Sequence, residues 1–321
     1  MNYIDVFNGD ADGICALHQL RLANPLDSAL ITGVKRDISL LKKVQAGSND
    51  QIVVLDISLD KNRDELIRLL DAGCEVDYID HHFPGEIPEH ANLRVGVDTD
   101  AAVCTSLLVN QRLGNRYPLW AAVGAYGDNL HESARAVIKH LSFDTEHHEL
   151  LSQLGMYLNY NGYGAELSDL AFLPDELYLK LKPYENPFDF IDQEPVFHQL
   201  QESYRCDMLK AESVVAELEE ENVALYILPN MPWARRVMGV FSNQLVRNYP
   251  ARAHAIFTQL DDGGYQVSVR APLMKKEGAD ELCCAFPSGG GRKAAAGINY
   301  LPESDVLLFL DKFTRAFPVP H

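Results

Sequence analysis

The chain has 321 residues, 47% hydrophobic and 23% charged, which is about twice the size of an ordinary single domain and ample for two packed cores. Its net charge of −18 argues against a protein that tracks along a long nucleic-acid backbone, which needs a basic footprint. No apolar run approaches the roughly 18 residues that mark a membrane span.

The opening "MNYIDVFNGD" has no basic n-region and enters a strand at once, so no signal peptide is predicted. From residue 3 to about 98, short apolar runs alternate with amphipathic stretches. "YIDVF", "ALITGV", "IVVLDI", "EVDYID" and "LRVGV" read as strands. Residues 13–24, 38–45 and 61–72 read as helices. Strands separated by helices of this length predict a parallel sheet covered on both faces. Residues 101–141 carry apolar side chains at helical spacing. From 145 to about 222 there is no convincing strand, and "AESVVAELEEEN" reads as a closing helix with a charged face. A second α/β unit follows. It comprises the strand "VALYILP", a helix over 234–248, a hairpin closed at "DDGG", helices near 274–284 and 304–316, and the glycine-rich "PSGGGRKAAAGINY" between them.

The reading is therefore an α/β protein in three parts: a parallel-sheet domain over 1–144, a helical connector over 145–222, and a smaller α/β domain over 223–321. Charge divides along the same line. Residues 224–321 hold 11 Lys/Arg against 8 Asp/Glu, and the rest of the chain is strongly acidic. An acidic first part suits divalent cations, and a mildly basic second part suits an anionic ligand of modest size. The six cysteines show no CxxC spacing and sit in apolar stretches, which predicts reduced thiols and a cytoplasmic location. The neighbours Cys283 and Cys284 are the one pair with a redox or metal alternative.

Open parallel sheets bind ligands beyond the carboxyl ends of their strands. There this chain places Asn8, Asp10 and Asp12 after the first strand, Asp56 after "IVVL", and Asp80, His81 and His82 after "EVDYI". Asp128 follows the helical "LWAAVGAYG". One such acid is ordinarily a helix cap or a turn residue. A set this large is a concentration of negative charge that only cations neutralise. Mixed carboxylate and imidazole donors suit manganese, with magnesium, iron or cobalt as alternatives. In the second part, glycines 289–291 read as a loop ahead of a helix start, where backbone N–H groups bind anions. Arg292 can grip phosphate bidentately, and Arg270 is a second phosphate candidate, with a solvent-facing strand residue as the alternative.

These motifs, "NGDADG", "VVLDIS", "YIDHHFPG" and "AYGDN" in order, followed by "VSVRAP" and "FPSGGGRKAAAG", resemble those of the DHH-type phosphoesterases with a C-terminal DHH-associated domain. The resemblance covers roughly 1–135 and 223–321. It implies two Mn2+ ions, with Mg2+ or Co2+ as substitutes, bridged by Asp56. Asp10 would hold the first ion; Asp12, His81 and Asp128 the second. His82 would face the scissile phosphate and Asp80 would orient a histidine. Arg270, Gly289, Gly290, Gly291 and Arg292 would bind the substrate's far end. The implied activity is hydrolysis of short 5′-phosphorylated oligonucleotides or linear dinucleotides, as in nanoRNases and pGpG or pApA phosphodiesterases. A phosphatase for pAp, polyphosphate or pyrophosphate and a non-catalytic nucleotide sensor are the alternatives. The expected partners are a short nucleotide and a second copy of the chain, with no long nucleic acid and no membrane. Two positions depart from the family pattern. Val6 stands where many members place a histidine ligand, and Asn8 where the exonuclease branch places an aspartate. In addition, "GGGR" replaces the usual "GGGH".

Overall fold

A computed structural model describes residues 1–319. The chain divides into two compact units, Met1–Ser203 and a second that begins at Tyr204.

The first unit is built on a parallel sheet. Its strands are β1 (Tyr3–Phe7), β2 (Ala29–Ile31), β3 (Gln51–Leu55), β4 (Glu75–Asp80) and β5 (Leu93–Val97), in the order β2-β1-β3-β4-β5. The helix α1 (Ala11–Ala23) follows β1, and α2 (Leu59–Asp71) follows β3. Alternation along the strands sends Ile4, Val6, Ile52, Val54, Val76 and Tyr78 into one buried cluster. Leu59, Leu66, Leu69 and Leu70 of α2 close it, being spaced on one face of an amphipathic helix. On the other face α1 packs against α3 (Thr105–Arg112) and α4 (Pro118–Gly127). Residues 38–45 form only a 3-10 turn over Leu40–Lys43. The helices α5 (His131–Val137), α6 (Thr145–Gly162), α7 (Pro174–Leu181) and α8 (Pro187–Gln193) complete this unit, and α9 (Pro195–Glu212) begins in it.

The register of this sheet positions the functional groups. Phe7 pairs with Leu55, and Leu55 with Ile79. One residue further on are Asn8, Asp56 and Asp80. Asn8 N–H donates to the Leu55 carbonyl at 3.2 Å and Asp56 N–H to the Ile79 carbonyl at 3.1 Å. The strand order reverses between β1 and β3, which is where ligands bind in such sheets.

The second unit has a sheet in the order β10-β11-β9-β8-β7-β6. Its strands are β6 (Leu218–Glu219), β7 (Val223–Leu228), β8 (Ala253–Gln259), β9 (Tyr265–Arg270), β10 (Gly289–Arg292) and β11 (Ala295–Leu301). The helix α10 (Pro232–Asn248) lies on one face of it. From α11 (Ala279–Cys284) and α12 (Val306–Ala316), Leu282, Cys283, Phe309 and Phe313 fill the core on the other.

Three expectations are corrected here. The helix expected over 211–222 ends at Glu212, and Leu218–Glu219 pair instead with Leu225–Ala224 as an edge strand. The helix near 274–284 begins only at Ala279, because Gly278 at φ 97° is outside helical space. The glycines expected in a loop before a helix form strand β10, paired antiparallel with Gly297, Ala296 and neighbours of β11. Cys283 is buried in the core, which pushes its thiol up to about 12, so it is a packing group rather than half of a reactive pair. No helix among the described residues is long and apolar enough to cross a membrane.

Close packing dictates the glycine pattern in β10. A Cβ at Gly289 would lie 1.7 Å from the Cys283 carbonyl oxygen, whereas one at Gly290 would meet nothing within 4 Å. Gly289→Ala is therefore expected to destabilise the second unit by about 1–3 kcal/mol through overpacking. Gly290→Ala should change it by less than about 0.5 kcal/mol. Urea denaturation of the two variants checks the contrast, and equal midpoints would contradict it.

Candidate metal centre

Each acid arrives at the sheet edge by a different local device. Asp10 caps α1, accepting from the backbone N–H groups of Asp12 and Gly13 at 3.1 Å each. Asp12, in the first turn of α1, is fully buried. Its carboxylate accepts from the Thr105 and Ser106 N–H groups at 2.7 Å each and from the Ser106 hydroxyl at 2.5 Å. These donors open α3, so the positive end of that helix stabilises the charge on Asp12. A carboxylate offers about four lone-pair positions. Three such bonds leave Asp12 able to give one more to a cation.

Asp56 sits at φ 58°, in the left-handed region that side chains other than glycine, asparagine and aspartate seldom adopt. The turn places its carboxylate at the sheet edge, where Oδ1 accepts from the Thr105 hydroxyl at 3.2 Å. Asp128 ends α4 as its C-cap.

The two histidines leave β4 side by side, with ring centroids 4.5 Å apart. The Nδ1 atom of His81 is 3.0 Å from the Val103 carbonyl oxygen, so that nitrogen carries the proton and donates. The opposite nitrogen, Nε2, is 3.4 Å from Asp56 Oδ1 and 3.6 Å from Asp128 Oδ2. Two carboxylates thus approach one imidazole nitrogen. His82 Nδ1 donates to Asp80 Oδ1 at 2.7 Å. Asp80 is completely buried, while the His82 side chain is 45% exposed.

Among the described residues, two groups of acids and histidines are close enough to share an ion. One is Asp12, His81 and Asp128, and the other is Asp56, His81 and His82. The structure thus brings together five of the residues singled out in the sequence. Asp10 belongs to neither group. It pairs with a residue that the sequence reading missed, Lys35, whose ammonium reaches Asp10 Oδ2 at 2.5 Å, Asp128 Oδ1 at 3.2 Å and Asn159 Oδ1 at 3.0 Å. The signal was present in "ALITGVKRD": Lys35 follows a strand at the same carboxyl edge as the acids. Val6 is fully buried in the apolar cluster and cannot act as a ligand.

The electrostatics follow from the crowding. Burial, then the charges of Asp12, Asp10, Asp128 and Asp80, push the Asp56 carboxyl well above its ordinary value. Burial also raises Asp128, opposed by Lys35 and reinforced by Asp12 and Asp10. Burial acts the same way on Asp10, but the Lys35 ammonium and its hydrogen bond, helped by the Gly13 N–H and a hydrogen bond with Asp56, outweigh it and hold that carboxyl below the ordinary range. Burial works against the charged form of His82, but the bond to Asp80 and the Asp80 charge, reinforced by the charges of Asp128 and Asp10, exceed it, so His82 is raised. The buried oxygens Asp80 Oδ2 and Asn8 Oδ1 have no hydrogen-bond partner.

In the second unit the register sets Arg292 opposite Ala295, Ala295 opposite Arg270, and Arg270 opposite His254. Residues directly opposite in antiparallel strands share a face. Arg270 and Arg292 therefore flank the small Ala295 on one face, at a spacing of roughly 10 Å across two strand intervals. Arg270 is steadied by Asn243 Oδ1 at 2.8 Å and the Ser268 hydroxyl at 3.0 Å. The glycines of β10 serve the pairing of this strand.

No family model and no curated protein matches the sequence. Solved structures share its fold. A manganese-bound exonuclease RecJ matches with a TM-score of 0.61 at 17% identity, over 99% of this chain and 91% of that one. RecJ from Thermus thermophilus, in complex with Mn2+, matches with a TM-score of 0.60 at 20% identity, over 99% of this chain and 53% of that one. This chain thus spans about half of the Thermus protein. The pGpG-specific phosphodiesterase PggH from Vibrio cholerae matches with a TM-score of 0.55 at 14% identity, over 98% and 99% of the two chains. The fold class expected from the sequence, a parallel α/β sheet followed by a second α/β unit, is the observed one.

The raised Asp56 carboxyl has a thermodynamic consequence. Its ionisation is disfavoured in the folded, metal-free protein. The penalty therefore appears as pH rises through the unfolded value near 3.8 and is complete above the raised folded value. Asp56→Asn keeps a residue that tolerates the left-handed backbone and removes the charge. At neutral pH it is expected to stabilise the metal-free protein, read as a higher melting temperature. It should also weaken the rise in melting temperature that Mn2+ gives the parent protein. Thermal melts with and without Mn2+ check both. A less stable metal-free variant would contradict the effect of crowding.

Proposed function

We propose that the protein is a metal-dependent phosphodiesterase that hydrolyses short 5′-phosphorylated oligonucleotides or linear dinucleotides of the pGpG, pApA or nanoRNA kind to mononucleotides. The observation that carries this reading is the arrangement at the end of β4: His81 Nε2 faces two carboxylates, and the neighbouring His82 is backed by a buried aspartate. Two fold neighbours, a manganese-bound exonuclease and a pGpG-specific phosphodiesterase, support the same class of chemistry. The net negative charge disfavours long polyanions, which supports a short substrate.

Asp12, Asp56, His81 and Asp128 are the residues that would hold a divalent cation. When bound, such an ion supplies Lewis acidity toward phosphoryl oxygens and toward an attacking water. The remaining work falls to side chains. Asp80 keeps His82 protonated to higher pH and fixes its Nδ1–H, leaving Nε2–H to donate to a non-bridging phosphate oxygen as charge builds there. The water oxygen adds to phosphorus and the bond from phosphorus to the 3′ oxygen breaks. The attacking water gives up one proton and the 3′ oxygen takes one up, so one water is consumed per bond broken. In the second unit, the Arg270–Ala295–Arg292 row offers guanidinium groups for the terminal 5′-phosphate.

With Mn2+, pGpG and 5′-phosphorylated di- to pentanucleotides are expected to yield mononucleotides. Asp56→Ala should abolish the reaction, and His82→Ala should lower kcat by about 10²-fold or more. Inactivity across this set with Mn2+, Mg2+ and Co2+ would contradict the proposal. Orthophosphate release in place of mononucleotides would assign a phosphatase acting on pAp, polyphosphate or pyrophosphate. Binding without turnover would assign a nucleotide sensor. Because Asp80 raises His82, the protonated imidazole persists to higher pH, so the alkaline limb of the kcat profile should move to lower pH in Asp80→Asn. An unmoved limb would remove His82 from the proton inventory.

A further inference from the structure

We infer that the Lys35 ammonium is a built-in cation at Asp10, and that the chain consequently takes up one exchangeable divalent ion rather than two. The inference rests on the metal-dependent reading above and concerns how the charge of that centre is balanced.

The three N–H donors of Lys35 meet three oxygens, on Asp10, Asp128 and Asn159. This is a full set for an ammonium group, in a side chain only 25% exposed. The group is delivered by a fixed segment. Lys35 N–H donates to the Gly162 carbonyl at 2.8 Å, at the end of α6. A Cβ at Gly9 would lie 2.0 Å from the Gly33 carbonyl oxygen, so glycine at 9 is what lets residues 33–35 run against the loop that carries Asp10. Nζ also lies 5.6 Å from the centre of the Tyr163 ring.

The Asp56 carboxyl also hydrogen-bonds with Asp10 but faces His81 as well, and the remaining donors around Asp10 are poor. Val6 contributes only apolar surface, and Asn8 offers an uncharged amide oxygen. Among the described residues, both groups able to share an ion contain His81, and neither contains Asp10. Charge counting agrees. One ammonium between Asp10 and Asp128 neutralises part of the acidic cluster without a second dication, and it does not dissociate as metal concentration falls.

Metal content decides the matter without reference to activity. The intact protein, Lys35→Met and Lys35→Arg are equilibrated with excess Mn2+ and freed of unbound ion. They are then measured by elemental analysis and by calorimetric titration. The expected result is one ion per chain for the parent protein and for Lys35→Arg. Lys35→Met, similar in length but uncharged, should gain a second, weaker ion on Asp10 and Asn8. Two ions in the parent protein would overturn the inference while leaving the phosphodiesterase reading intact. So would a single ion in a folded Lys35→Met, since Lys35 would then not be what fills the position. No ion in any form would overturn the metal centre itself. The parent count stands even where a variant fails to fold.

Discussion

The burial of like charge at one edge of a parallel sheet is the constraint on which the rest of the first unit depends. Asp10, Asp12, Asp56 and Asp80 are each at most 2% exposed, and Asp128 joins them from α4. In a medium that screens poorly, such a group persists only with compensating positive charge. The chain supplies part of it. The N–H groups that open α3 hold Asp12, those of α1 hold Asp10, and Lys35 joins Asp10 to Asp128. What remains is Asp56, the carboxyl pushed up most plainly by its neighbours, beside the free face of His81. The uncompensated charge and the imidazole nitrogen fall in the same place, and that is where a divalent ion would be held.

Rigidity around this place follows from ordinary packing. The strands reach the edge in a common register, so Asn8, Asp56 and Asp80 stand one residue past the last shared rung. A slip of one residue would reverse every side chain and drive the acids into the apolar cluster of Val54 and Tyr78. The hydrophobic pattern of the strands thus fixes the geometry of the polar groups at their ends. The helices α3 and α4 bring Thr105, Ser106 and Asp128 to the same edge because both pack against α1.

Much of this was legible in the sequence. Acids and imidazoles that follow apolar runs have no packing reason to be there, and "NGDADG", "VVLDIS" and "YIDHHFPG" state both the residue types and their edge. Pairings across long sequence separations were not legible. Lys35 reads as an ordinary surface lysine until α6 brings Asn159 and Gly162 beside it. Thr105 and Ser106 lie within the stretch read as helical over 101–141, with nothing to say that Asp12 would accept from their N–H groups. In the second unit, "GGGRKAAAG" carries no strand propensity of its own. Its strands form because β9 offers an edge and Cys283 leaves no room for a Cβ at Gly289. Residues 213–222 show helical spacing, but β7 provides a partner for Leu218–Glu219.

The proposed centre is one divalent ion among Asp12, Asp56, His81 and Asp128, with the Lys35 ammonium at Asp10. Anomalous diffraction at the manganese edge, from crystals grown with Mn2+, reads that location directly. The expected result is one strong peak within bonding distance of His81 Nε2, and none between Asp10 and Asn8. A peak centred on Asp10 with Lys35 displaced, or no peak beside His81, would contradict it.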